Sequence, residues 1–261
     1  MKKKKPPLIS IIMNCHDGEK YLKNSILSIL NQDYKKWELI FWDNQSKDKS
    51  KEIVLNFKDK RIKYFKSKNF TSLYKARNLA IAKAKGEYIS FLDTDDYWTK
   101  KKLFKQVKLI KKDKNINFIH SNFYVYDQLT KKKKLHSLKK IPSGKITQNL
   151  LNDYKLGILT VMMKRAFFKK KKFNTRYNII GDFDYFIKLS IKENFFYINE
   201  PLAYYRLHKK NYSKNISVYC NELNNWLRSN SKNLHKKNLS TQKIDYYSKK
   251  LKLKKLFRLG P

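Results

Sequence analysis

The carboxylates Asp93, Asp95 and Asp96 carry the clearest chemistry in this sequence, because they occur within four residues of one another. They lie in "FLDTDDYW", directly after an apolar run, although the chain has 61 Lys and Arg against 21 Asp and Glu. Like charges this close repel one another unless a cation lies among them. Oxygen ligands favour Mg²⁺ or Mn²⁺, and such an ion can hold phosphate oxygens at its remaining positions. The cluster therefore predicts a divalent metal that carries a diphosphate, and an acidic loop that only caps a helix near Thr99 is the alternative.

Other polar groups have weaker individual meaning. Residues 14–17 follow the apolar run "LISIIM", and residues 43–46 follow "WELIFW", where plain turn chemistry would also explain them. Asp182 and Asp184 in "GDFDYFIKL" fit the start of a helix, where the helix dipole favours acids. His208 in "YYRLHKKNYS" is by itself more often structural than a metal ligand. The combination is much less expected by chance than its parts.

Strand and helix patterns alternate over the first hundred residues, which predicts the elements that position these groups. Buried strands are predicted at residues 8–13, 37–42, 61–65 and 87–92. Apolar residues recur at helical spacing between them. Such alternation predicts an α/β fold, a parallel sheet with helices on both faces. Ligands of these sheets bind at the carboxyl ends of the strands, so we expect the three polar clusters after the strands to meet at one edge.

The alternation breaks down after the fourth strand. Strands are predicted at 117–126 and 156–163, and a helix is predicted at 182–193. Within the first half, Ser46 is a candidate N-cap for the second helix, and Gly86 stands where the third helix should stop. We place a soft boundary near residue 105, without a linker.

From about residue 212 onward the chain is polar, basic and helical in pattern. Residues 244–259 place six apolar side chains among many lysines: Ile244, Tyr247, Leu251, Leu256, Phe257 and Leu259. This is a rough basic amphipathic pattern, which suits a helix that lies on an anionic membrane. A helix that packs on its own domain would show the same pattern, and the sequence favours neither.

The amino-acid composition limits the classes of protein to which this chain can belong. A hydrophobic content of 41% and an aromatic content of 15% argue against disorder, despite a formal net charge of +40. The excess of lysine suits an AT-rich genome, but it also predicts attraction to polyanions such as nucleic acid, anionic lipid or acidic glycans. Cys15 and Cys220 form no metal-type or disulfide framework, which favours a reduced, cytoplasmic compartment. No apolar run approaches the ~20 residues of a membrane span, so we expect a soluble protein that is peripheral to a membrane at most.

Taken in order, the motifs over about residues 7–213 resemble the family 2 glycosyltransferases of the GT-A fold. "PLISIIMNCHDGEKYLKNSILSILNQDYKKWELIFWDNQSKDKS" is similar to the family's nucleotide-binding opening, and "ARNLAIAKAKGEYISFLDTDDYW" to its Arg-Asn helix and Asp-x-Asp strand end. "GDFDYFIKL" resembles the segment with the catalytic base, and "PLAYYRLHKKNYS" the closing Tyr-Arg-x-His strand. The resemblance implies a GT-A, Rossmann-like, mixed but mostly parallel sheet. It also implies a nucleotide-sugar-binding half at 1–105, an acceptor-binding half at 106–211 and a basic helical tail at 212–261.

The resemblance also implies roles for individual residues. Asn14 and Asp17 belong to the nucleotide-binding opening. Asp43 would accept a hydrogen bond from the base, Asp93 would contact the ribose, and Arg77 would help to hold the nucleotide. Asp95 would bind the metal, with His208 as a further ligand or phosphate contact, and Asp182 would be the general base. The sequence departs from the family pattern in three ways: Asp17 stands where Asn is usual, Asn44 and Gln45 replace an Asp-Gly pair, and Gly181 replaces an acid.

The expected activity is metal-dependent, inverting transfer of a sugar from a nucleotide diphosphate sugar to an acceptor hydroxyl. Mn²⁺ or Mg²⁺ is the expected cofactor, and a UDP-sugar is favoured, although guanine also offers ring N–H groups to Asp43. The resemblance implies a glycan or lipid-linked acceptor in bacterial surface polysaccharide or lipopolysaccharide synthesis. Two alternatives remain at this stage: a basic nucleic-acid-binding protein, or a nucleotidyltransferase on a similar sheet.

Overall fold

The alternating first part of the chain forms a parallel sheet. The computed structural model describes residues 5–209 and 211–258. Its first four strands are β1 (Ile9–Cys15), β2 (Trp37–Asp43), β3 (Ile62–Lys66) and β4 (Tyr88–Phe91), and the helices between them are α1 (Glu19–Leu30), α2 (Ser50–Leu55) and α3 (Leu73–Lys83). The strands pair in parallel in the order β3-β2-β1-β4. Their carboxyl ends therefore lie at one edge, as the sequence predicts.

The rest of the chain extends the same sheet with antiparallel and parallel pairs. The further strands are β5 (Tyr97–Trp98), β6 (Phe118–Asp127), β7 (Lys133–Leu135), β8 (Met162–Lys164) and β9 (Phe196–Leu207). Across the described residues the strand order is β3-β2-β1-β4-β8-β6-β9-β5, and β7 pairs with β6. The further helices are α4 (Lys102–Lys112), α5 (Thr147–Asn152), α6 (Ala166–Lys170), α7 (Gly181–Ser190), α8 (Ile216–His235) and α9 (Gln242–Arg258).

Two hydrophobic clusters cover the two faces of the sheet. Along β1, Ile11 and Met13 belong to one cluster, and Ile12 between them belongs to the other. This is the period-2 alternation of strand side chains, and both faces are apolar because helices pack on each. Helices α1 and α4 contribute to the first cluster, whereas α3, α5, α7, α8 and α9 contribute to the second.

Three local predictions are wrong, each for an identifiable reason. Residues 156–163 are mostly not a strand: Gly157 O accepts hydrogen bonds from both the N–H and the hydroxyl of Thr160, which winds Ile158–Thr160 into a 3₁₀ turn before β8.

Ser46 does not cap α2, because that helix begins at Ser50. The Ser46 hydroxyl instead accepts the Asp17 N–H.

Gly86 has a packing role rather than the predicted role at the end of α3, which already ends at Lys83. Its N–H donates to Ser10 Oγ at 2.8 Å, and a Cβ added at Gly86 would lie 2.6 Å from the Ser10 nitrogen. Glycine is needed because the chain passes this close to β1.

The C-terminal helices pack on the second cluster. Trp226 of α8 is fully buried, and Ile244 and Leu251 of α9 are buried beside it. Of the six predicted apolar tail residues, these two point into the protein, while Leu259 and the side chains of Leu256 and Phe257 lie outside the described residues. The three-part division of the chain stays a prediction. Within the described ranges, no helix is both long and apolar enough to cross a bilayer.

Candidate active site

A cleft of about 900 Å³ lies at the carboxyl ends of the strands. Five of the residues predicted from the sequence line it: Asn14, Arg77, Asp93, Asp95 and Asp182. The other three sit next to lining residues, since Asp17 follows His16, Asp43 precedes Asn44 and His208 contacts Asp95. The structure therefore brings all eight predicted site residues to one region, from segments spread over most of the chain.

Each carboxylate of the acidic strand end has its own partner. Asp93 forms an ion pair with Arg77, whose Nη2 lies 2.7 and 3.0 Å from the two carboxylate oxygens. Asp95 Oδ2 lies 2.8 Å from His208 Nε2, and Asp96 Oδ1 accepts the backbone N–H of Arg206 at 2.8 Å. Burial and the charge of Asp93 raise the pKa of Asp95, while the contact with His208 lowers it.

Asp96 is the innermost of the three. It is buried, and this burial together with the charges of Asp95 and Asp93 raises its pKa well above the usual value. Its hydrogen bond to Arg206 joins the loop after β4 to β9. Asp96 is therefore a structural acid, although it lines the cleft together with Asp93 and Asp95.

The Asp95–His208 pair can be compared with the needs of a divalent metal. A carboxylate oxygen and an imidazole nitrogen are both accepted by Mn²⁺, and diphosphate oxygens and water can take the remaining positions. Within the described residues, no group of three His, Cys, Asp or Glu side chains is arranged to hold a metal ion. Asp95 and His208 would supply two of the ligands of such an ion, beside the oxygens of a bound diphosphate.

The surroundings of the polar Asn14 side chain favour a bound ligand. It is only 9% exposed and lines the cleft, yet both its amide oxygen and its amide nitrogen lack a hydrogen-bond partner within the described part of the chain. Buried polar groups are nearly always hydrogen-bonded, and leaving one unpaired costs free energy. A bound polar molecule would satisfy these atoms.

Aromatic side chains that the sequence did not point to form one wall of the cleft. The His16 ring packs on Phe70 with 4.7 Å between ring centroids, and Phe70 is 63% exposed. Asn44 fixes the loop that carries Phe70, because its side-chain amide exchanges hydrogen bonds with the Thr71 backbone at 2.8 and 3.2 Å. In the sequence, Phe70 is an aromatic residue in the loop before α3, but it belongs to no motif that would mark it as part of a site.

Asp43 and Asp17 both hold backbone turns. Asp43 is buried and accepts the Ser46 N–H at 2.7 Å and the Tyr64 hydroxyl at 2.5 Å. Asp17 accepts the Lys47 N–H at 2.7 Å, which joins the loop after β1 to the loop after β2. Gln45 has a φ of 68°, the left-handed conformation that favours glycine, which accounts for the Asp-Gly pair usual there. The nucleotide contacts assigned to these residues stay predictions.

Asp182 lies in the first turn of α7 and accepts a hydrogen bond from a side chain of α3. Its Oδ1 is 2.7 Å from the hydroxyl of the buried Tyr74, which is also 2.8 Å from the Ile179 carbonyl oxygen. A Cβ at Gly181 would lie 2.5 Å from the Tyr74 ring, so an acid cannot stand before Asp182 in this chain. Burial raises the pKa of Asp182, while Arg77 and the Tyr74 hydroxyl oppose that rise. A carboxylate with a raised pKa is suited to proton abstraction.

Asp184, on the same turn, has a different environment. It is buried and accepts the indole N–H of Trp226 at 2.9 Å, and it pairs with Lys188 one turn further along the helix. It thus supports α7 and its contact with α8. Glu222 of α8 is another residue that the sequence did not point to. Its carboxylate accepts hydrogen bonds from the backbone N–H groups just before α7.

Comparison with known proteins gives consistent results. The family model for glycosyl transferase family 2 matches residues 10–190. An uncharacterized glycosyltransferase of Haemophilus influenzae is 35% identical over 215 residues, which cover 80% of this chain and 83% of the relative. The Escherichia coli UDP-Glc:alpha-D-GlcNAc-diphosphoundecaprenol beta-1,3-glucosyltransferase WfgD is 35% identical over 188 residues, or 72% of this chain and 71% of the relative.

Two solved structures share the fold. Staphylococcus aureus TarS in complex with UDP-GlcNAc superposes with a TM-score of 0.63 at 17% identity, covering 84% of this chain and 66% of the other. Mannosyltransferase PcManGT from Pyrobaculum calidifontis in complex with GDP-Man and Mn²⁺ gives 0.64 at 15% identity, with 87% and 65% covered. The predicted GT-A-type α/β fold is confirmed. The nucleic-acid-binding and nucleotidyltransferase alternatives are not favoured.

The raised pKa of Asp182 leads to a stability prediction. Its folded pKa lies above its unfolded value of about 3.9, so the wild type loses stability as the pH rises through the folded pKa. Asp182→Asn keeps the hydrogen bond from Tyr74 and does not titrate, so the variant should be the more stable protein at neutral pH. Urea unfolding at several pH values from about 4 to 8 should show this advantage growing with pH. A variant that is less stable at neutral pH would show that attraction to Arg77 outweighs the cost of burial.

Proposed function

Because this chain belongs to glycosyl transferase family 2 and is a glycosyltransferase, we propose that it transfers a sugar from a nucleotide diphosphate sugar to a hydroxyl of a surface glycan or its lipid-linked precursor. The observation that supports this most directly is that Asp182 lines the same cleft as Asp93 and Asp95. The relative WfgD is named for a diphosphoundecaprenol-linked GlcNAc acceptor, and the putative glycosyltransferase TuaG of Bacillus subtilis is named for teichuronic acid biosynthesis.

The donor side of the proposed site is the strand-end half of the cleft. Asn14 offers an unpaired amide to the nucleotide, and Asp43 accepts from the base, with Asp17 holding the adjoining loop. Arg77 holds Asp93 toward the ribose. We favour a UDP-sugar, since one solved structure with this fold binds UDP-GlcNAc and the relative WfgD is named for UDP-Glc.

In this proposal Asp95 and His208 hold Mn²⁺ or Mg²⁺. When bound, the ion supplies stabilisation for the negative charge on the departing diphosphate. Asp182 takes the proton of the acceptor hydroxyl while the acceptor oxygen forms its bond to the anomeric carbon. The bond to the diphosphate oxygen breaks on the opposite side, its electron pair leaves with the diphosphate, and the anomeric centre is inverted. The acceptor lies over the start of α7, within the proposed 106–211 half.

Donor binding gives the first test of this proposal. A thermal-shift panel of UDP-glucose, UDP-GlcNAc and GDP-mannose, each with and without Mn²⁺, should reveal one donor that stabilises the protein more when the metal is present. A ligand at ~100 times its Kd stabilises by about 2.7 kcal/mol, which is measurable. Asp95→Ala should abolish the Mn²⁺-dependent part of this shift, because it removes a metal ligand. Metal-dependent binding that survives unchanged would remove Asp95 from the site.

The transfer step tests the base. Asp182→Asn keeps the shape and the hydrogen bond but lacks basicity, so transfer should fall by at least about a hundredfold. Donor affinity should change little, because the nucleotide contacts lie on other residues. Asp184→Asn is the matched control, since an amide oxygen can still accept the Trp226 N–H. Loss of transfer in the control but not in Asp182→Asn would mean that the wrong carboxylate is assigned.

We also propose peripheral contact with anionic membrane through the outer face of α9. Tyr246, Tyr247 and Leu253 are exposed there among lysines. Replacing Tyr246 and Leu253 by serine should weaken sedimentation with phosphatidylserine-containing vesicles without lowering the Tm, because neither side chain packs in the core. Phosphatidylcholine vesicles serve as the neutral comparison. Equal vesicle binding by the variant and the wild type would exclude this face as the anchor.

A further inference from the structure

Helix α8 lies beyond residue 190, where the match to the family ends, yet it bonds the segment that carries the proposed base. We propose that Glu222 of α8 is a positioning residue for Asp182. The inference rests on the proposed function, because it assigns Glu222 a part in the transfer step rather than in folding alone.

The first observation is the set of bonds that Glu222 accepts. Glu222 is only 8% exposed. Oε1 accepts the Asn178 N–H at 2.5 Å, and Oε2 accepts the N–H groups of Ile179 and Ile180 at 2.9 and 3.1 Å. Three successive backbone donors thus converge on one buried acid, which fixes the path of the chain immediately before α7.

The second observation explains why α7 needs this partner. The first N–H groups of a helix have no partner within the helix, and a side chain at the N-cap normally accepts one of them. The N-cap residue of α7 is Ile180, which has no side-chain acceptor. Glu222 accepts the N–H of this N-cap residue and those of the two residues before it, so it fixes the entry of the chain into α7, and its negative charge is favoured at a helix N-terminus.

The third observation connects Glu222 to the base. Ile179, whose N–H bonds to Glu222, also places its carbonyl oxygen 2.8 Å from the Tyr74 hydroxyl, which in turn lies 2.7 Å from Asp182 Oδ1. The intervening residue is Gly181, the residue type with the greatest backbone freedom. Without the clamp at residues 178–180, the chain can turn at Gly181 and move the Asp182 carboxylate away from the acceptor.

The same helix provides a matched control. Trp226 lies one turn after Glu222 and donates to Asp184 at 2.9 Å, so it joins α8 to the body of α7. Breaking that bond perturbs the same helix–helix contact but leaves the three bonds to residues 178–180 in place. A purely structural role would make the two sites equivalent, whereas a positioning role separates them.

Glu222→Gln keeps the size of the side chain but turns one acceptor into a donor that faces backbone N–H groups. We expect kcat for transfer to fall by about ten- to hundredfold, as small misplacements of catalytic groups do. The KM of the donor should stay close to that of wild type. Trp226→Phe should lower the Tm at least as much as Glu222→Gln, with little change in kcat.

Kinetics are measured with UDP-glucose, UDP-GlcNAc and GDP-mannose as donors, below the Tm of every variant, and with Asp182→Asn in parallel. A wild type inactive with every donor, or an active Asp182→Asn, overturns the proposed function. Inactivity of Asp182→Asn combined with equal kcat values for Glu222→Gln and Trp226→Phe overturns only the positioning role. A rise in donor KM without a fall in kcat also overturns it. If Glu222→Gln does not fold, Glu222→Asp, which keeps the charge but shortens the reach, must show the same loss of kcat.

Discussion

Repulsion among three carboxylates at the end of β4 is the constraint on which the rest of the site depends. The protein meets it by giving each acid a partner from a different place in the chain. Asp93 takes Arg77 of α3, Asp95 takes His208 after β9, and Asp96 takes the backbone of Arg206 within β9. Through Asp95 and Asp96 the acidic loop joins the parallel half of the sheet to β9 and the residues after it, and the cleft lies beside these contacts.

One face of α3 then sets the relation between the two sides of the cleft. Tyr74 and Arg77 are three residues apart, so their side chains lie on the same face of the helix. Arg77 reaches Asp93 on the proposed donor side, and Tyr74 reaches Asp182 on the proposed acceptor side. Both partners are close to the ends of rigid elements, β4 and α7. The spacing between the proposed ribose contact and the proposed base is therefore built into a single helical turn.

The sequence predicted the parallel half well, because its strands are buried on both faces and appear as unbroken apolar runs. The first strand, for example, was predicted at 8–13 and observed at Ile9–Cys15. The mixed half was harder, since most of the run at 156–163 is apolar because it lines the cleft and packs in the core, and only Met162 and Met163 pair in a strand. The acids were found by motif. Tyr74 and Glu222 were not, because they meet their partners across 108 and 44 residues without any regular spacing.

The C-terminal tail is a second case in which one sequence pattern fits two different structures. Ile244 and Leu251 are seven residues apart, and this spacing marks one side of a helix whether that side faces lipid or protein. Only the docked position of α9 shows that they face protein.

The two acids of the first turn of α7 show how environment rather than position divides their roles. Asp184 pairs with Lys188 within α7 and accepts the Trp226 N–H from α8, so it supports the helix and its contact with α8. Asp182, two residues earlier, keeps a place in the cleft wall and accepts from Tyr74 on Oδ1. Burial makes its ionised form less favourable, and the same burial makes it a stronger base. The fold therefore accepts a cost in stability at Asp182, which is the arrangement expected of an acid that serves the proposed reaction.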